Sequence, residues 1–380
     1  MNYLALRRQA LLRGLKAGGH PSDAILVTHP ANVTYLTGFT GEASYLVLGP
    51  KAAVLVTDPR FEDQVTEDCP ELGKADGLDV HVRRHDVTTP EAAVAVLAKA
   101  GAKAVGLEGT RVTVGELEAF RALAPKLEFV PLPGPVEALR VVKDPGEVER
   151  IKDSIRVAER AFKMFSATIA ETDTEKEMVD SLECYIRRCG AKSSAFPPIV
   201  AVGERGALPH APPTARPLSE GSKLLVDWGA DLTYKSDLTR VIRNPYGTAL
   251  TRRNKFERTA HPLEKVYRAV LAAQDAAVAA LRHGVAAKDV DAAARKSLTA
   301  AGYGENFTHG LGHGIGLEIH EAPRIRANST DVLEAGMVVT IEPGVYIPGW
   351  GGVRIEDDFL IQRDGCQRLT TLPRELDALG

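Results

Sequence analysis

The stretch from Leu224 to Arg240, LLVDWGADLTYKSDLTR, sets the strictest condition on how this chain can fold. Asp227 ends one apolar run, Leu224-Leu225-Val226, and Asp237 lies in a second that leads from Tyr234 through Leu238 to Val241 and Ile242. Gly229, Ala230, Asp231 and Thr233 between them suit a turn, so the pattern predicts a β-hairpin with a carboxylate on each arm. Carboxylates beside β-rich apolar runs are costly to bury unless paired or bound to a cation. Two that face each other repel, and a divalent ion removes that repulsion. The alternative is a solvent-facing pair on an edge hairpin.

Two later stretches favour the cation. One is His309 to Glu321, HGLGHGIGLEIHE; the other holds Glu342 in TIEPG and Glu356 in VRIEDD. Two Asp, one His and two Glu make an oxygen-rich set with an imidazole, suited to two divalent ions such as Mn²⁺, Co²⁺ or Zn²⁺. His309 and His313 are four apart, the spacing of a zinc helix. Gly310, Gly312, Gly314 and Gly316 argue against it, because each costs ~1 kcal/mol inside a helix. An extended run instead puts His309, Leu311, His313, Ile315, Leu317 and Ile319 on one face, with glycine opposite, where another backbone can approach. A phosphate cradle is the rival reading, but no Gly-Lys-Ser/Thr ending and no dinucleotide-binding context follows.

A length of 380 residues allows two domains. The hydrophobic share of 44% and charged share of 26% are those of an ordinary soluble globular chain. A net charge of −3 argues against a general nucleic-acid binder, and no apolar run approaches membrane-spanning length. Arg7, Arg8, Arg13 and Lys16 break the apolar pieces of the first residues, which read as an amphipathic helix rather than a targeting peptide. Cys69, Cys184, Cys189 and Cys366 form no tight metal-ligand pattern and are expected as reduced thiols in the cytoplasm.

Along the chain, residues 1–135 read as an α/β unit. Strands are expected at Ala24–Val27, Tyr45–Leu48, Ala52–Val56, Ala104–Leu107 and Leu127–Val130, with helices at Pro90–Ala100 and Glu116–Leu123. Pro131-Leu132-Pro133-Gly134-Pro135 is the strongest punctuation, and the boundary is placed there, leaving 136–380 as the second domain. Asp144 and Pro145 start a long helix, and Thr174 with Glu177 forms a capping box for another that Gly190 stops. Further helices run from Pro262 towards Gly284 and from Lys288 to Ala300. Each helix pair precedes strands bearing candidate ligands, which suggests two related halves around one cleft. Residues 244–260, with Arg252, Arg253, Lys255 and Arg258, read as a solvated basic loop, with a polyanion contact as the alternative.

The metal-ligand motifs together resemble the pita-bread metallopeptidases, the aminopeptidase P, prolidase and creatinase group. Asn32-Val33-Thr34-Tyr35-Leu36-Thr37-Gly38-Phe39 is similar to a phrase of that group's creatinase-type N-terminal domain, and the segment from Arg140 to Glu147 to its connecting phrase. The resemblance implies an α/β (α+β) fold class, with a creatinase-type N-terminal domain ahead of a pita-bread catalytic domain. It implies metal ligands at Asp227, Asp237, His313, Glu342 and Glu356, and two divalent ions, first of all manganese. It implies that His210, His309 and His320 support the ligands or touch the substrate, and that Arg354 lies beside the last ligand.

The implied activity is hydrolysis of Xaa-Pro bonds in proline-containing peptides by a cytoplasmic homodimer. Glu342 would shuttle the proton, His320 stabilise the oxyanion, His309 contact substrate nearby, and His210 and Arg354 bind substrate. A metal-free creatinase-like amidinohydrolase and a non-catalytic peptide-binding module on the same fold are the rivals; retention of all five ligands argues against both. Asp227 and Asp237 lie ten positions apart where the resemblance leads us to expect eleven. An odd-length loop or bulge over 230–234 would absorb the difference with both carboxylates inward.

Overall fold

The computed structural model describes residues 2–19, 22–50, 52–69, 72, 77–244 and 262–376. The expected basic loop at 244–260 lies outside the described residues apart from Asn244. The chain divides into two compact units, Met1–Arg140 and Val141–Gly380.

The first unit is an α/β sandwich built on one mixed sheet. Its helices are α1 (Tyr3–Ala17), α2 (Pro30–Thr37), α3 (Glu62–Asp68), α4 (Thr89–Lys99), α5 (Val114–Leu123) and α6 (Pro135–Arg140). Its strands are β1 (Ala24–Val27), β2 (Ser44–Gly49), β3 (Ala52–Thr57), β4 (Leu78–Val82), β5 (Ala104–Glu108) and β6 (Glu128–Leu132), in the order β4-β3-β2-β1-β5-β6. Strands β1, β2 and β3 pair antiparallel, and β4, β5 and β6 join parallel, as crossover connections through helices require. Leu26, Val47, Val56, Ala93, Leu97, Leu107, Phe120 and Phe129 close the core between this sheet and α4 and α5. Both helices start on capping boxes, Thr88 with Glu91 and Thr113 with Glu116.

The second unit repeats one scheme twice. Helices α7 (Pro145–Ser166) and α8 (Glu175–Arg188) precede β7 (Ser193–Ser194), β8 (Ile199–Val202), β9 (Lys223–Trp228), β10 (Ala230–Leu232), β11 (Tyr234–Lys235) and β12 (Leu238–Arg243). Helices α9 (Leu263–Ala280) and α10 (Ala287–Ala300) precede β13 (Gly312–Gly314), β14 (Glu321–Ile325), β15 (Val338–Ile341), β16 (Gly344–Ile347), β17 (Gly351–Arg354), β18 (Asp357–Gln362) and β19 (Gly365–Arg368). The expected caps are present: Asp144 accepts from Glu147 N–H with Pro145 in the first turn, and Thr174 does the same for Glu177.

The period-two pattern of β9 decides where the site can lie. Leu224, Val226 and Trp228 turn to α7 and α8, where Trp228 stacks on Phe162 with ring centroids 4.1 Å apart. Leu225, on the other face, joins the core made by α9, α10, β15 and β17. Asp227 shares that face, so it points between the halves rather than into the helical core. The hairpin closes on Thr233, with Leu232 paired to Tyr234 and Asp231 to Lys235. Trp228 opposite Leu238 keeps the same register, so the ten-residue spacing is absorbed by an odd-length tip without a bulge. Thr233 pays for this with φ +81°, a left-handed conformation that is unusual for a β-branched residue.

The glycine-rich histidine stretch is not helical, but it is strand only over Gly312–Gly314. The longer extended run expected from the sequence gives way to bends after Gly314. Close approach explains the glycines: a Cβ at Gly312 would meet the Thr340 carbonyl, and one at Gly314 the Ala322 carbonyl. Among the described residues no helix is long and apolar enough to cross a membrane. All four cysteines are free thiols.

Candidate functional site

Asp227 lies directly opposite Thr239 in the β9–β12 pair, so their side chains share a face, and Asp237, two residues earlier, joins them. The other half supplies His313 from β13, Glu342 from the end of β15, and Glu356 from between β17 and β18. Glu356 N–H donates to the Thr239 carbonyl at 3.2 Å, which links the two halves at the site. Arg240, fully buried, donates to the Glu356 carbonyl at 2.7 Å and pairs with Asp357 at 2.7 Å, fixing the same segment from behind.

These side chains line one cavity of about 650 Å³, together with His210, His309, His320 and Arg354. The cavity wall therefore holds all the candidate ligand, catalytic and substrate-binding residues named from the sequence. Asp237, His313 and Glu356 bring three donor atoms within 4.8 Å of one another. His313 Nε2 lies 3.6 Å from Asp237 Oδ2 and 3.5 Å from Glu342 Oε1. Asp227 is held differently: Arg354 Nη2 donates to its Oδ2 at 2.5 Å.

Burial lowers the His313 pKa to about 3, so the ring is neutral. Its Nδ1 faces the Gly314 carbonyl at 3.1 Å, which assigns the proton there and leaves the Nε2 lone pair towards the carboxylates. Burial, then repulsion from Glu356 and Asp227, raises Asp237 well above the ordinary carboxylate range. Burial and Glu356 do the same to Glu342, and burial with Asp227 pushes Glu356 up to about 8. A neutral imidazole nitrogen and several buried carboxylate oxygens converge at separations too long for hydrogen bonds. Asp227 Oδ1, also buried, has no hydrogen-bond partner among the described residues. That is the donor chemistry of a divalent-cation site, and the residues fit one.

A second layer holds the carboxylates in place. Thr239 Oγ1 donates to Glu356 Oε2 at 2.6 Å and accepts from Arg354 Nε at 3.0 Å. The direction is forced, because Arg354 Nε–H can only donate and the hydroxyl has one hydrogen to give. Tyr346 Oη accepts from Arg354 Nη1 at 2.8 Å and meets His309 Nε2 at 2.8 Å. Burial holds His309 near pKa 4 and Tyr346 near 12, so both are neutral at pH 7. The His320 ring lies edge-on to His313, centroids 4.4 Å apart. Sequence reasoning missed Thr239, Tyr346, Arg324 and Arg326, and the apolar wall of Phe196, Pro197, Pro198 and Ile199. Only Tyr346 had a signal: it follows Glu342 and Gly344 at alternate positions, and Gly344 leaves the room its ring needs.

The profile of metallopeptidase family M24 matches residues 149–363, and that of the creatinase/prolidase N-terminal domain matches residues 7–142. An Xaa-Pro dipeptidase of Pyrococcus furiosus is 34% identical over 93% of this chain and 95% of its own length. The structure is similar to that of an Xaa-Pro dipeptidase from Bacillus anthracis, with TM-score 0.86, 33% identity and coverage of 98% and 99% of the two chains. It is also similar to an X-Pro aminopeptidase from Thermotoga maritima, with TM-score 0.84, 33% identity and coverage of 94% and 97%. The expected creatinase-type N-terminal domain and pita-bread catalytic domain thus hold, and membership implies divalent metal ions. A profile match across the catalytic half, a second across the N-terminal half, and relatives alike over nearly their whole length place this chain in metallopeptidase family M24, as a member that carries the creatinase/prolidase N-terminal domain.

Proposed function

We propose that this chain hydrolyses Xaa-Pro peptide bonds, as an Xaa-Pro aminopeptidase or dipeptidase, with two divalent ions held by Asp227, Asp237, His313, Glu342 and Glu356. The observation that carries the reading is the convergence of a neutral imidazole nitrogen and buried carboxylates on one cavity. Oxygen-rich donors with a single imidazole make manganese the first choice, with cobalt and zinc next. When bound, such ions supply Lewis acidity, polarising the scissile carbonyl and lowering the pKa of the attacking water.

The chain's own residues then divide the work. Glu342, on the cavity wall 3.5 Å from His313 Nε2, takes the water's proton and passes it to the leaving nitrogen. His320 offers an N–H to the oxyanion. His309, kept neutral by burial and oriented by Tyr346, contacts the substrate, and His210 and Arg354 border it. A proline amide has no N–H, so recognition falls on its ring, for which Phe196, Pro197, Pro198 and Ile199 provide an apolar wall. The reading extends to a cytoplasmic homodimer, with the N-terminal and catalytic domains joined between Pro135 and Val141.

The test compares kcat/KM for Xaa-Pro, Xaa-Pro-Yaa and Xaa-Ala peptides with manganese present. Proline-containing substrates should lead Xaa-Ala by roughly 10- to 200-fold, the range an apolar pocket can deliver. Equal rates would contradict the proposal. The ratio of the first two peptides then distinguishes dipeptidase from aminopeptidase.

A further inference from the structure

His320 sits at the end of a tight loop that follows β13, and the loop is folded around a buried charge. Glu318 N–H donates to Glu321 Oε1 at 3.0 Å. Gly316 N–H donates to the Glu318 carbonyl at 3.1 Å, and Lys235 N–H donates to the Gly316 carbonyl at 2.8 Å. A Cβ at Gly316 would come within 2.9 Å of both Glu321 carboxylate oxygens, so a larger residue there would push the carboxylate from its place inside the loop. Lys143 Nζ reaches the other oxygen, Oε2, at 3.2 Å, with the two side chains 1% and 6% exposed. Lys143 is itself fixed, since its N–H donates to the Gly336 carbonyl at 2.9 Å and its neighbour Val142 bridges to Met337.

Neither Lys143 nor Glu321 lines the cavity, yet Glu321 is the residue next to His320. We propose that the buried Lys143–Glu321 ion pair is a positioning element for His320: it keeps the loop from Gly316 to Glu321 closed and so sets the imidazole against His313 and the scissile bond. The inference rests on the Xaa-Pro hydrolase reading. A buried pair that loses one member leaves the other charge uncompensated. In Lys143→Met the Glu321 carboxylate keeps the Glu318 N–H but loses the ammonium beside it, which favours opening of the loop to water.

Two variants of the full-length, manganese-loaded protein test this. Lys143→Met should lower both melting temperature and kcat. Lys143→Met/Glu321→Gln removes both charges, so it should fold even where the single variant does not. In the double variant we expect melting temperature and metal content near wild type and KM within about threefold of it. Its kcat should remain down by about 10- to 100-fold, the penalty of misplacing a catalytic group by an ångström or less. Recovery of kcat together with stability would overturn the proposal, because the pair would then be structural only. Loss of metal in parallel with kcat would also overturn it. Crystal structures of the wild type and the double variant read the inference apart from catalysis. A His320 ring displaced from His313 supports it, and superposable rings contradict it, even if the wild type cleaves no Xaa-Pro bond and the proposed function itself fails.

Discussion

Burial and mutual repulsion act together on Asp237, Glu342 and Glu356, and both raise their proton affinity. A carboxyl whose pKa is higher folded than unfolded holds a proton that the unfolded chain has released, so it stabilises the fold at low pH and loses that effect as pH rises. With Glu356 at about 8, the window runs from the ordinary carboxylate range near 4.3 up to about 8. The chelated protein should therefore melt at progressively lower temperature between those limits, and bound divalent ions should flatten the trend. A melting temperature that climbs with pH across that window in the chelated protein would contradict this account of the carboxylates. The histidines separate by position. His313 offers Nε2 to the carboxylates, so His313→Ala should lower metal content. His320→Ala should keep the metal and slow turnover by ~10²–10³-fold, the loss typical of an oxyanion donor. Equal metal loss in both variants would count against the assigned roles. The five donors were legible because carboxylates and a histidine set among β-type apolar runs and glycines need a reason to be there. Thr239 was not, because its hydroxyl gains its importance only from Glu356 and Arg354, more than a hundred residues away, and Tyr346 left only the weak signal of its place after Gly344.

Among the elements, the hairpin between Asp227 and Asp237 shows what spacing can and cannot say. Its odd-length tip follows from the ten-residue interval, but its cost appears only in the backbone, where Thr233 takes φ +81°. Asp231 accepts the Thr233 N–H at 2.9 Å and helps to hold the turn. Asparagine tolerates this conformation far better than a β-branched residue, so Thr233→Asn should raise stability by about 0.5–1 kcal/mol in urea unfolding with metal content unchanged. Loss of stability would mean that the tip is not strained. Elsewhere the sequence understated the first unit. Helix α2 and strand β4 were not foreseen, and α2 lacks a side-chain cap of its own. Its start is held by Glu108, which accepts N–H bonds from Thr28 and His29 at 2.7 and 2.9 Å across some eighty residues of sequence. No local pattern announces such a cap. The histidine stretch failed for a related reason: its glycines correctly ruled out a helix, but where the strand ends depends on the Glu321 carboxylate folded beneath Gly316.

For the whole chain, the order of elements carried most of the architecture. Two helix pairs, each followed by ligand-bearing strands, were enough to expect two halves around one cleft. What joins the halves at the site was beyond reach of that order: besides the backbone bond between Glu356 and Thr239, the joining contacts are single side chains, Arg354 on Asp227, Thr239 on Glu356 and Arg240 on Asp357. Each spans more than a hundred residues and is specified by geometry alone. The first two brace the donor carboxylates of Asp227 and Glu356, and Arg240 holds the backbone that carries Glu356, as a centre built to hold divalent ions and not collapse in their absence requires. The claim that these carboxylates and His313 form a two-ion hydrolytic centre is tested most directly by titrating manganese into the thoroughly chelated protein while following Xaa-Pro hydrolysis and metal bound per chain. No turnover is expected without metal, and the rate should rise to its plateau as two ions bind per chain, in line with the spacing of ~3.5–4 Å that two-metal sites use. Full hydrolysis by the metal-free protein, or a plateau reached with no ion bound, would contradict it.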